Sequence, residues 1–196
     1  MSWISRRAFL GNLAAAVPVA ALVRSAHAAA VHELSTDVGT LRALGAAILP
    51  SELGVAGTTA AVDAFQHWIS GYREHQELLH GYGTSALSYS GPTPATHWAA
   101  QLAALNRGAR SKGSGSFALL TLDQRRTMVR AELDGLRITS MPAVGNAPHV
   151  AVALLSHWYG STNATDRCYR AFIGKMQCRP LSASPRAPLP LAPARG

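Results

Sequence analysis

The side chains able to do chemistry are scattered along this chain rather than gathered into a motif. Eight histidines are the first place to look for a metal or an acid–base centre. Three of them precede a tryptophan, as His67-Trp68, His97-Trp98 and His157-Trp158, a recurrence with no chemical meaning of its own. A tetrahedral metal site needs three or four ligands that converge. On a predicted helix His75 and His80 point about 140° apart, and His67 and His75 are about 80° apart and two turns from one another. Most of these histidines therefore read as surface or interface residues. Glu74 and Glu77 flank His75 in what has the composition of an acid–base cluster, but the simpler reading is a solvated helix face. Cys168 and Cys178 are too few for a four-cysteine zinc site or iron–sulfur cluster, and they lack the C-x-x-C-H spacing of covalent haem attachment. No nucleophile elbow, phosphate-binding loop, dinucleotide fingerprint or H-E-x-x-H stands in the sequence. The expectation is that the chain is not an enzyme: no catalytic residue, no metal ligand and no cofactor of its own.

One string remains peculiar. In His80-Gly81-Tyr82-Gly83 two glycines surround a tyrosine, so the backbone can turn tightly and come close to another surface. The alternative is a helix end with Gly81 in the left-handed position.

The elements available to position these residues are helices. Residues 34–49 carry an apolar stripe of Leu34, Val38, Leu41, Leu44 and Ile48, with Ser35 or Thr36 as cap and Pro50 as stop. A loop over 51–57 should follow, then a second helix opened by Thr58 or Thr59. Its inner face holds Val62, Phe65, Trp68 (with Ile69) and Tyr72, and it is expected to run on to Gly81. A third helix over about 95–107 faces Trp98, Leu102 and Leu105 inward, and the composition of residues 108–116 predicts a flexible link. Thr121-Leu-Asp-Gln124 is a capping box that opens a fourth helix bearing Met128, Val129 (or Glu132), Leu133 and Leu136. Pro148 introduces a fifth over 149–159, and residues 166–175 offer a short sixth. Strand-like alternation is missing. The predicted fold class is all-α, a small irregular domain of five or six helices with long Gly/Pro-rich loops, spanning 29–181. Residues 1–28 precede it and a Pro-rich arm, 182–196, follows.

The first 28 residues read as an address. Ser5-Arg6-Arg7-Ala8-Phe9-Leu10 resembles the twin-arginine export pattern, a mildly apolar stretch follows, and Ala26-His27-Ala28 has the form of a cleavage site. The apolar run from Ala8 to Val23 is shorter than the roughly 20 residues a spanning helix needs and contains Gly11, Asn12 and Pro18. Charge supports the same division. The chain is +8 overall, but residues 1–28 and 179–196 each hold three arginines and no acid, which leaves twelve bases against ten acids between them. A basic tail at each end is not a nucleic-acid surface, so no nucleic-acid partner is expected. Export also changes the reading of the thiols: in an oxidising compartment Cys168 and Cys178 fit an intrachain disulfide, worth on the order of 2–3 kcal/mol in the chain-entropy model.

Several short motifs now stand in a definite order. Behind the leader come Thr40-Leu-Arg-Ala-Leu-Gly-Ala-Ala-Ile-Leu-Pro50, Phe65-x-x-Trp-Ile-x-Gly-Tyr-Arg73 and His80-Gly-Tyr-Gly83. Then follow His149-Val-Ala-Val-Ala-Leu-Leu, Ala164-Thr-Asp-Arg-Cys-Tyr169 and Cys178-Arg-Pro-Leu181. Together they resemble the gluconate 2-dehydrogenase subunit 3 family, small non-catalytic subunits of membrane-associated flavin dehydrogenases, from about Leu41 to Leu181. The resemblance implies a catalytic partner of the glucose–methanol–choline oxidoreductase type that binds FAD, oxidises a sugar, sugar acid or glycoside, and has no export signal of its own. It implies that this chain takes the folded partner through the twin-arginine translocase to the periplasm, and that a cytochrome c subunit carrying haem c accepts the electrons. Arg167 departs from the pattern, where an apolar residue is expected. Trp68, Tyr72, His80, Gly81, Tyr82 and Gly83 are the expected partner contacts; Trp98, Trp158 and Tyr159 are further aromatics that suit an interface. Two other classes compete: a stand-alone exported helical binding protein, and an exported enzyme with an unrecognised His/Glu site.

Overall fold

The structure, a computed structural model, describes residues 37–77, 88–173 and 191. Six α-helices make up the described part: α1 (Val38–Ile48), α2 (Gly54–Ser70), α3 (Ala95–Ser111), α4 (Leu122–Leu133), α5 (Val150–Tyr159) and α6 (Thr162–Tyr169). An isolated antiparallel bridge, Glu77 to Tyr89, is the extended pairing between described residues. The all-α class predicted from the sequence holds. The leader residues Arg6, Arg7, Phe9, Leu10, Ala26 and Ala28, the string His80-Gly81-Tyr82-Gly83, and Cys178 lie outside the described residues.

Helix α1 is the hub. It packs against α2, α3, α4 and α5, and its Leu41 and Leu44 are completely buried. The approach of α2 is close because position 45 is glycine: a Cβ there would stand 2.9 Å from Val62 Cγ2. Two arginines of α4 fasten it to α1, with Arg125 Nη1 donating to Ala43 O (3.0 Å) and Arg126 Nε to Ala47 O (3.1 Å). The second of these carbonyls lies in the last turn of α1, where helices carry orphan acceptors and partial negative charge. A smaller apolar cluster of Leu49, Leu53, Ala61, Trp158 and Ala164 ties the α1–α2 corner to the α5–α6 corner.

Several boundaries differ from the sequence reading, each for a packing or capping reason. Asp37, rather than Ser35 or Thr36, caps α1, its Oδ1 accepting from Thr40 N. The expected loop over 51–57 is a 3-10 turn, Ser51–Leu53, running directly into α2 at Gly54, whose φ of 62° turns the chain; burying Leu53 outweighs the poor helix propensity of the glycines. At its other end α2 stops at Ser70 instead of continuing to Gly81. Beyond Gly71 and Tyr72 the five side chains from Arg73 to Glu77 are all polar and give a helix no face to bury. Glu74 and His75 are therefore not on a helix, and His75 has a φ of 58°. Helix α3 continues through Gly108 because Ala109 is buried and Met128 Cε would lie 2.9 Å from a Cβ at position 108. The last helix begins at Thr162, not Asp166, since Ser161 accepts from Ala164 N at 3.2 Å and Ala164 is buried; it ends where Arg170 turns left-handed. His149 is the cap of α5 and not its first residue.

Asn106 of α3 joins three segments. Its Nδ2 donates to Asp37 Oδ2 and Thr40 Oγ1, both at 2.8 Å, and its Oδ1 accepts from Phe117 N at 3.0 Å. Alanine at this position would strand the amide of a fully buried residue along with Asp37, the cap of α1, and Thr40 within it. We expect Asn106→Ala to lose about 2–3 kcal/mol in urea unfolding with an unchanged m-value.

Candidate functional site

The described chain gathers four of its aromatics, Phe65, Trp68, Tyr72 and Trp98, at one corner. Trp98 of α3 forms the floor, completely buried, with Nε1 donating to Ala147 O at 3.4 Å. Phe65 of α2 lies on it at a centroid distance of 5.4 Å, and Trp68 lies 6.3 Å from Phe65 with the two planes 16° apart. Tyr72 stands edge-on to Trp68 at 5.5 Å. His157 of α5 completes the group at 5.7 Å from Phe65 and 6.1 Å from Trp68. Such ring pairs each contribute about 0.5–1.5 kcal/mol beyond the area they bury.

Two of the expected partner contacts are thus parts of this cluster. Trp68 is half-buried against its neighbours. Tyr72 donates its hydroxyl to Gly91 O at 3.0 Å, and its ring lies where a Cβ on Gly145 would touch it. Burial raises the pKa of this phenol, the Ser90 hydroxyl opposes the rise, and the nearby Glu74 carboxylate adds to it. The remaining expected contacts, in His80-Gly81-Tyr82-Gly83, lie between two described stretches that are clamped together. Ser90 Oγ donates to Arg73 O (2.6 Å) and accepts from Gln76 N (2.8 Å), while His75 N and Ser90 N donate to Ser90 O and Gln76 O respectively. Glu74 is part of the same clamp, its Oε1 accepting from Thr93 N at 2.8 Å.

Of the other aromatics, Trp158 is buried in the second cluster with Tyr159 edge-on to it at 4.8 Å. Tyr159, Tyr169 and Phe172 are exposed. Beside Trp158 and His157 runs a groove of about 170 Å³, walled on the α2 side by Gly57, Ala60, Ala61 and Ala64 and on the other by Ser161 and Asn163. Cys168 is exposed and unbridged among the described residues, its expected partner lying outside them. Arg167, where the resemblance leads to an apolar expectation, has a local use: Nε donates to Asn163 Oδ1 and Nη1 to Glu52 O, linking α6 to the turn before α2.

His149 Nε2 lies 2.9 Å from Glu132 Oε2, a pairing that elsewhere orients a general base. Here the other nitrogen is taken, because Nδ1 accepts from Ala151 N at 3.1 Å and caps α5. The ring is buried and both nitrogens serve the fold. Among the described residues no three His, Cys, Asp or Glu side chains converge as a metal site, and no helix is long and apolar enough to cross a membrane. Sequence reading missed His157 as a cluster member. Its signal was position: it follows the buried Ala153 and Leu154 by four and three residues, on the inward stripe of α5.

No protein-family model, curated protein or solved structure matches this chain.

Proposed function

We propose that this chain is the non-catalytic small subunit of an exported FAD-dependent dehydrogenase of the glucose–methanol–choline type. In this reading it carries the twin-arginine leader for a leaderless catalytic flavoprotein, escorts it to the periplasm and stabilises its folded form by binding it. The observation that carries the reading is the order of short motifs from Thr40 to Leu181 behind Ser5-Arg6-Arg7-Ala8-Phe9-Leu10. An all-helical domain whose exposed surface includes Tyr159, Tyr169 and Phe172 is compatible with a binding role. Sugar, sugar-acid or glycoside oxidation belongs to the partner, as does the FAD, and a cytochrome c subunit would take the electrons. A ligand that binds only the folded partner shifts its folding equilibrium by mass action, so the complex needs no chemistry from this chain.

The test is copurification. The tagged chain, expressed from its native genomic context, should bring down a yellow flavoprotein that oxidises a sugar or glycoside with an artificial acceptor. Expressed alone, it should be colourless and inactive. A catalytic subunit equally soluble and active without this chain would overturn the proposal, as would a flavin spectrum from this chain alone. A tagged chain that brings down no flavoprotein would favour the stand-alone binding protein.

A further inference from the structure

The histidine in the aromatic corner lies between two surroundings. In one it packs against Phe65 and Trp68. The other is the groove on its open side, about 170 Å³, where the small side chains of Ala60 and Ala64 leave space opposite Ser161 and Asn163. We propose that His157 makes the seam between α2 and α5 a proton-sensitive joint: neutral, its ring closes the aromatic cluster; protonated, it moves into the groove and loosens the seam.

The physical basis is the environment of the ring. A neutral imidazole is at home among apolar rings, whereas an imidazolium there loses its hydration. Burial lowers the pKa of His157 below its ordinary value of 6.5, and no charged neighbour contributes. The charged and titratable groups on the surrounding elements are paired, hydrogen-bonded elsewhere or exposed. Arg42 of α1 and Asp63 of α2 pair with one another at 3.3 Å. His67 of α2 and Arg107 and Arg110 of α3 are exposed. His97 of α3 sits beside Gln101 and Pro148 O, at the opposite end of α5. On α6, Asp166 accepts from Ile173 N and Arg167 bonds Asn163 and Glu52 O. On α5 itself His149 is held by Glu132 of α4. The sign follows: a folded-state pKa below the unfolded value means stability is full above the ordinary histidine value and is lost as pH falls through the folded value. Two effects oppose this, attraction of a cation to the Trp68 ring and the partial negative charge at the end of α5.

In the full chain the His157 imidazole, assigned by its disappearance in His157→Phe, should titrate below 6.5 by NMR. Between about pH 7.5 and about pH 5 the parent's Tm should fall by roughly 3 °C or more beyond any fall in His157→Phe. Tryptophan fluorescence should shift with the same midpoint in the parent alone. If His157→Phe fails to fold, the imidazole is assigned by its through-space contacts with the Phe65 and Trp68 rings, and amide exchange over residues 65–69 of the parent decides: it should accelerate with that imidazole's midpoint. A midpoint at or above the ordinary value overturns the joint. So does an equal acid loss in His157→Phe, or exchange that ignores the titration.

Discussion

Trp98→Ala is expected to cost about 3–5 kcal/mol, a large part of the roughly 5–15 kcal/mol that holds a domain of this kind together. Three losses add. The indole is completely buried, so its removal leaves a cavity in the floor of the aromatic corner. Phe65 at 5.4 Å and Trp68 at 6.4 Å each lose a ring partner. The Ala147 carbonyl, just before α5, loses its indole donor. Trp98→Phe separates the terms: it keeps an aromatic ring but drops the hydrogen bond, and its expected cost is about 1–2 kcal/mol. Both are read from urea or thermal unfolding followed by circular dichroism. An alanine variant within about 1 kcal/mol of the parent would mean that the corner is not the keystone of the fold.

How far the sequence foretold this architecture depended on whether a signal was local or came from tertiary contact. The capping box at Thr121 and Gln124 is a four-residue device, and both of its hydrogen bonds are made where the sequence places them. The apolar stripes of α1, α2 and α3 name Leu41, Leu44, Val62, Phe65, Trp98, Leu102 and Leu105, all buried. What was not legible depended on partners far along the chain. Glycine and alanine carry too little apolar area to announce a helix, so the start of α2 and the end of α3 were set by Leu53, Ala109 and Met128 packing elsewhere. The stop of α2 was masked by treating Tyr72 as one more position on a helical stripe. Its ring belongs to the corner, but it is reached from a turned segment whose backbone pairs with Ser90. The candidate site shows the same limit. Trp68, Trp98 and His157 sit in separate helices, and their convergence is a property of how α2, α3 and α5 pack, with no sequence spacing to encode it.

Under the proposed function the leader gives the sharpest biological prediction. Replacing Arg6 and Arg7 together by lysine keeps both positive charges and leaves the apolar stretch and the Ala26-His27-Ala28 pattern untouched. A general secretion signal, which needs a basic start and an apolar run, would tolerate that change. A translocase that reads the guanidinium pair would not, because lysine is a compact point charge and lacks the planar five-donor fork of arginine. We therefore expect periplasmic protein to fall to background in the double variant, with precursor accumulating in the cytoplasm. The catalytic subunit's periplasmic activity should fall with it, since in this reading the partner has no leader and leaves the cytoplasm only as a folded passenger. Fractionation and immunoblotting follow this chain, and a dye-linked dehydrogenase assay on the same fractions follows the partner. The two readouts separate the two claims. Periplasmic chain undiminished would reject the twin-arginine assignment. Loss of the chain with partner activity intact would keep that assignment and reject the escort role.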